Sequence, residues 1–123
     1  MRGLYSEIQP VDINVTEIDG AVTCVQLNGR LDAAGADRIG LRFTAAVAAR
    51  DRPAIVDLSG VTFVASMGLR LLISTARALA LKGGKLVLFG ADEMVQGVLD
   101  DAAIDQIIPV VATQALALAE LAD

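Results

Sequence analysis

The sequence contains no histidine and a single cysteine in 123 residues. Without imidazole, His-dependent acid–base catalysis and His-ligated metal sites are excluded. Cys24 has no partner in the chain, so an internal disulfide is excluded. Its place in a strand pattern reads it as a buried apolar side chain and not as a reactive thiol. Aromatic residues make up 3%, so the core has to be built from Leu, Ile, Val and Ala. Basic runs are missing too, and the net charge is −5. Neutralising a phosphate backbone takes clustered Lys and Arg, so nucleic acid is excluded as a partner. Arg70, Arg77 and Lys82 interrupt the longest apolar stretches, leaving none that reaches the ~18–20 residues of a membrane span. The opening residues, Met1 to Glu7, lack the apolar segment of a secretory signal. The expectation is a cytoplasmic protein without direct membrane insertion and without a bound cofactor or metal.

What is present is enough for one folded unit. Hydrophobic residues make up 54%, and the length suits one domain. Such a chain buries roughly two-thirds of its unfolded surface and needs no disulfide or metal staple. Residues 1–10 end in Pro10 and show no period, so they read as a loose arm before a single domain over 11–123.

From Val11 the chain alternates. Val11, Ile13 and Val15 share one face, with Asp12, Asn14 and Thr16 on the other, as in a half-buried strand. Asp19-Gly20 supplies the two positive-φ positions of a tight hairpin turn. A second strand is expected from Ala21 to Asn28, broken by Gly29-Arg30-Leu31-Asp32. Ala36, Ile39, Phe43, Ala46 and Val47 then trace an amphipathic helix to Ala49. Ala54–Leu58 is a short apolar run, as in a strand buried on both faces, ended by Ser59-Gly60.

Leu69, Leu72, Ile73, Ala76, Leu79 and Ala80 form the buried stripe of a second helix, with Arg70, Ser74 and Arg77 toward solvent. Lys82 and Gly83-Gly84 stop it. Lys85–Phe89 is another buried strand. Asp92 caps a third helix, with Val95, Val98, Leu99 and Ala102 facing inward. Ile107–Val111 is a short strand in which Pro109 suits an edge. Thr113 opens an Ala/Leu helix with Leu116 and Leu121 on its apolar face. The order β-β-α-β-α-β-α-β-α gives an α/β fold. Its mixed sheet, an opening antiparallel hairpin followed by βαβ units, packs against about four helices.

Chemistry concentrates between the third strand and the second helix. Ser66 stands just before the helical period, and Gly68 lies in the first turn. A helix N-terminus offers free N–H groups and partial positive charge, and a glycine there leaves room for a phosphate or carboxylate to approach. Ser66 reads either as an N-cap or as a modified serine; a capping hydroxyl is also a surface hydroxyl. Asp32 reads equally as the N-cap of the first helix or as part of the same site. Asp57 reads as a local capping or turn residue, and Ser59 as a turn residue.

The run Asp57-Leu-Ser-Gly-Val-Thr-Phe-Val-Ala-Ser66-Met67-Gly68-Leu-Arg70 resembles the signature of the STAS domain of bacterial anti-sigma factor antagonists. Gly29-Arg30-Leu31-Asp32 resembles that family's earlier Gly-x-Leu-Asp motif, and Gly83-Gly84 also matches. The resemblance covers about residues 11–121. It implies a regulatory binding module and not an enzyme. Such a module binds a kinase-type anti-sigma factor, is phosphorylated by it on a serine at the start of the second helix, and is reset by a serine phosphatase. The usual acceptor position, directly before the glycine, holds Met67 here, and Ala65 replaces the family's aspartate. Either Ser66 takes the phosphate, or the partner is bound without that control. The implied binding surface comprises Asp32, Ser66, Met67, Gly68, Arg70, Leu71 and Ser74. The family also includes constitutive components of lipid-transport ABC systems, which bind an ATPase partner, and cytoplasmic tails of anion transporters.

Other classes fit the residues less well. A response-regulator receiver could use Asp57. Its acidic pair after the first strand and its lysine near residue 111 have no counterpart. No Gly-rich phosphate loop follows the first strand.

Overall fold

The computed structural model describes residues 11–122. The arm expected over residues 1–10 lies outside them, as does residue 123. Asp19 and Gly20 both take positive φ, 53° and 65°, and the Ala21 N–H donates to the Ile18 carbonyl at 3.0 Å. This turn twists the chain in the sense its flanking strands need. It joins β1 (Asp12–Ile18) antiparallel to β2 (Val22–Leu31). There follow α1 (Ala33–Ala48), β3 (Ala54–Val64), α2 (Ser66–Leu81), β4 (Leu86–Phe89) and α3 (Glu93–Asp101). A 3-10 turn (Ile104–Gln106), β5 (Val110–Val111) and α4 (Gln114–Ala122) complete the fold. The sheet order is β1-β2-β3-β4-β5, and every pairing after the first is parallel.

The register sorts side chains onto two faces. Val25, Val56 and Leu88 are aligned on one, against Ile39, Phe43 and Val47 of α1, Leu72 and Leu79 of α2, and Val95 and Leu99 of α3. Cys24, Ile55 and Val87 are aligned on the other, where α4 adds Ala117. The sheet thus carries three helices on one side and one on the other. Ala54, Ile55, Val56 and Leu58 are all fully buried, as expected for a central strand covered on both faces.

Several boundaries differ from the sequence reading, for tertiary reasons. β2 does not break at Gly29. It continues to Leu31, with register shifts on either side of Asn28 and Gly29 and with Gly29 at φ 98°. β3 likewise runs past Ser59-Gly60 to Val64. Each extension supplies the other's backbone partners, with Asn28 opposite Gly60 and Leu31 opposite Val64. A Cβ on Gly60 would collide with the Asn28 side chain, so the glycine lets the strands stay paired instead of ending one. Ser59 is therefore an exposed strand residue, not a turn residue. β5 shrinks to two residues because Ile104–Gln106 coils first. Pro109, lacking an N–H, still accepts from the Leu88 N–H at 2.9 Å.

The buried stripe of α2 is also rotated. Gly68, Leu72, Thr75 and Leu79 are fully buried, Leu69, Ile73 and Ala76 are half-buried, and Ala80 is exposed. The helix packs against α1 and the sheet, which turns the 68-72-75-79 line inward. Ala102 ends α3 as its exposed C-cap instead of facing in. Leu116 is 52% exposed, and α4 seats itself through Ala117, with Leu118 and Leu121 half-buried.

Candidate functional site

β2 and β3 end in register, Leu31 opposite Val64, so α1 and α2 start side by side at one end of the sheet. Asp32 follows Leu31 and caps α1, accepting from the Gly35 N–H at 2.8 Å through Oδ1. That hydrogen bond, helped by the side-chain bond and charge of Arg30, holds the Asp32 carboxyl below the usual aspartate range against the opposing effect of burial. Arg30 Nε donates to Asp32 Oδ2 at 3.4 Å. Its guanidinium lies 4.3 Å from the centre of the Phe63 ring, a cation–π contact. Sequence reasoning did not place Arg30 or Phe63 at the site. Arg30 was within reach, inside the Gly29–Asp32 motif. Phe63 becomes its neighbour only through the parallel register.

The start of α2 corrects two expectations. The N-cap is Ala65, in extended conformation, and its N–H donates to the Leu31 carbonyl at 3.0 Å. The Ala65 carbonyl accepts the first helical bond, from the Leu69 N–H. Ser66 is thus the first helical residue and not the cap, and no side chain caps this end. The tether between Ala65 and β2 sets the phase of the helix, which local pattern cannot reveal. The N–H groups of the first turn are left without a side-chain partner. Gly68 does not open them to an approaching anion. It is buried, and a Cβ there would meet the Leu31 carbonyl oxygen and lie 2.8 Å from Leu31 Cγ. Glycine at 68 lets α2 sit against the end of β2.

The first turn of α2 presents Ser66 exposed and Met67 at 45% exposure. Met67, Arg70, Leu71 and Ser74 line one cleft of about 270 Å³ with Ala33, Ala36 and Asp37 of α1. Leu71, part of the implied binding surface, is half-buried in it, because it packs toward the core between the helices. Ser74 is exposed, and its hydroxyl donates to the Leu71 carbonyl at 3.2 Å. Ser66 opens instead onto a longer groove along α2, of about 540 Å³, and Arg70 and Ser74 border both spaces. The structure therefore gathers Met67, Arg70, Leu71 and Ser74 in one cleft. It sets Ser66 outside that cleft, in the groove it shares with Arg70 and Ser74, keeps Asp32 as the α1 cap at the same end of the sheet, and buries Gly68.

Asp57 stands apart from this surface, its Oδ1 accepting from the Ser59 N–H at 2.9 Å, the local role its context suggested. Among the described residues no group of three His, Cys, Asp or Glu side chains could hold a metal ion, and no helix is long and apolar enough to cross a membrane.

A family model described as the STAS domain matches residues 12–117. A comparison with curated protein sequences found no match. Among solved structures, the chain is similar to an anti-sigma factor antagonist from Mycobacterium paratuberculosis, with 26% identity and a TM-score of 0.81 over 92% of this chain and 95% of that one. It is similar to an anti-sigma-factor antagonist (STAS) domain protein from Planctomyces limnophilus, with 27% identity and a TM-score of 0.80 over 91% and 99%. The Bacillus cell fate determinant SpoIIAA in its phosphorylated form matches with 17% identity and a TM-score of 0.65 over 89% and 98%, a likeness of fold.

Proposed function

The chain belongs to the STAS domain family, and from that membership we propose that it is an anti-sigma factor antagonist that works by partner switching. Unmodified, it binds a kinase-type anti-sigma factor through the end of the sheet where α1 and α2 begin, and the sigma factor is released. The kinase then modifies Ser66: the serine oxygen bonds to the γ-phosphorus of ATP, ADP leaves, and the hydroxyl proton passes to a base of the kinase. A serine phosphatase hydrolyses the ester and restores the first state.

The observation that carries this reading is the exposed Ser66 hydroxyl on an uncapped first turn, beside exposed Met67. Phosphate there brings about −1.5 to −2 charges to a helix end that favours anions. It sits one turn before Arg70, in the (i, i+4) relation that suits an ion pair. Arg70, Leu71, Ser74 and Met67 form the neighbouring contact cleft, and Asp32 fixes the start of the adjoining helix.

Met67 at the family's usual acceptor position favours a second reading, in which the chain binds an ATPase partner of a lipid-transport ABC system constitutively, without phosphate. Phosphopeptide mass spectrometry on the protein recovered from its native cell, with co-purifying partners identified in the same sample, separates the two. Phosphate on Ser66 together with a kinase-type anti-sigma factor supports partner switching. An ABC-type ATPase with no phosphate on the chain overturns it and leaves the fold assignment standing.

A further inference from the structure

We propose that the long groove on the outer flank of α2 is the seat of an acidic amphipathic helix from a partner protein. The inference rests on reading the chain as a protein-binding module, and it names the chemistry of what is bound. The groove of about 540 Å³ is lined from Ser66 to Leu81 by residues of α2 alone. At 1.5 Å per residue that flank is about 24 Å long, the length of a helix of four turns or so.

Its floor is apolar. Leu69 and Ile73 are half-buried, and Leu81 is 90% exposed at the far end. Leu69 and Ile73, four residues apart, with Ala78 and Leu81 beyond them, give the hydrophobic stripe of a second helix an apolar surface to pack along. The rim is cationic. Arg70 and Arg77 border the groove, stand two turns apart and are exposed, and α2 contains no acidic residue. This stripe is positive on a chain whose net charge is −5. The matching occupant presents Leu- or Ile-type residues inward and a carboxylate at each of two positions about seven residues apart.

A second copy of this chain does not fit. A two-fold axis across the groove brings Arg70 of one copy toward Arg77 of the other, like charge against like. The position of Ser66 at the groove's entrance gives the occupant a regulatory consequence. Phosphate on Ser66 pairs with Arg70 one turn on and adds negative charge where a carboxylate has to sit, so modification expels an acidic helix by charge competition.

The test titrates the isotope-labelled full chain with a synthetic helical peptide of about 18 residues. The peptide carries leucines on one face and two glutamates seven residues apart; its control carries lysines at those two positions. The acidic peptide is expected to bind more tightly and to shift the amides of Leu69, Ile73, Arg77 and Leu81. Arg77→Gln is expected to weaken it about threefold, the scale of one exposed ion pair. Arg70→Glu with Arg77→Glu is expected to reverse the preference to the lysine peptide. Leu81→Ser, at a fully solvated position, is expected to weaken both peptides without unfolding the chain.

Equal binding of the two peptides overturns the proposal. So do shifts confined to the Met67 cleft, self-association through the same amides, or co-sedimentation with phosphatidylglycerol vesicles in place of peptide binding. The titration uses neither ATP nor an anti-sigma factor, so it can fail while partner switching stands, or succeed while partner switching falls.

Discussion

At Gly68 the absence of a methyl group decides where α2 can begin. The residue lies against Leu31, with the Leu31 Cγ 2.8 Å from where a Cβ would be. Gly68→Ala is expected to cost about 1–3 kcal/mol through overpacking. Gly97 in α3 has nothing within 4 Å of such a Cβ, so Gly97→Ala is expected to gain about 0.5–1 kcal/mol from helix propensity. Urea midpoints of the two variants check the contrast; equal shifts would refute the packing argument. Met67 next door is exposed and free to change. Met67→Asp is expected to leave the far-UV circular dichroism and the urea midpoint unaltered while weakening partner binding about tenfold, the scale of an apolar anchor residue. Calorimetry with the purified partner decides it, and unchanged affinity removes Met67 from the interface. The sequence marked Met67 and Ser66 as unusual. It could not assign the cap to Ala65 or bury Gly68, because both depend on Leu31, which is distant in sequence.

Among the elements, the starts of α1, α3 and α4 were legible, since each cap is closed by atoms three residues away, whereas the start of α2 is tied to Leu31 across the sheet. Asp32 accepts from the Gly35 N–H, Asp92 from the Val95 N–H at 2.8 Å, and Thr113 from the Leu116 N–H at 3.2 Å. Asp32→Ala is expected to destabilise the fold by about 1 kcal/mol at neutral pH, the usual effect of losing an N-cap. Asp32→Asn keeps an acceptor and is expected to cost less. The pH dependence has a definite sign. The Asp32 carboxyl titrates below its unfolded value, so its contribution is complete above about pH 3.9 and is lost as pH falls through the lower folded value. The stability gap between the native chain and Asp32→Asn is therefore expected to close below about pH 4. A gap that stays constant from pH 7 to pH 3 contradicts this. Strand ends were the least legible elements. Gly29 and Ser59-Gly60 look like punctuation, yet β2 and β3 run past them because each pairs with the other.

For the molecule as a whole, the unequal covering of the sheet sets what is exposed. Three helices close one face, while α4 closes part of the other through Ala117, beside Cys24, Ile55 and Val87. Burial pushes the Cys24 thiol above its ordinary range; a hydrogen bond with Thr16 opposes this, and the charge of Asp57 adds to it. Less thiolate and little access together make Cys24 a reporter of global opening. A disulfide reagent at pH 8 is expected to label the native chain at least about tenfold more slowly than the urea-unfolded one. Equal rates would mean that the β1–β2 edge opens without global unfolding. The same one-sided packing leaves the outer flank of α2 open, with Leu81 at 90% exposure beside Arg77.

By itself the sequence determined the class of the fold, the order of its elements, the Asp19-Gly20 turn and the caps of α1, α3 and α4. Each rests on contacts within about one helical turn or on the period of apolar residues, which are local physics. Its two motifs also pointed to the family and to the segment around Ser66. Only the tertiary structure decided how far β2 and β3 extend, which residue starts α2, and that Gly68 is a packing residue. It also placed Met67 and Ser66 in two adjoining surface spaces that share Arg70 and Ser74. Those outcomes follow from the parallel register of two strands far apart in the chain, and backbone partners across a sheet leave no period in the sequence.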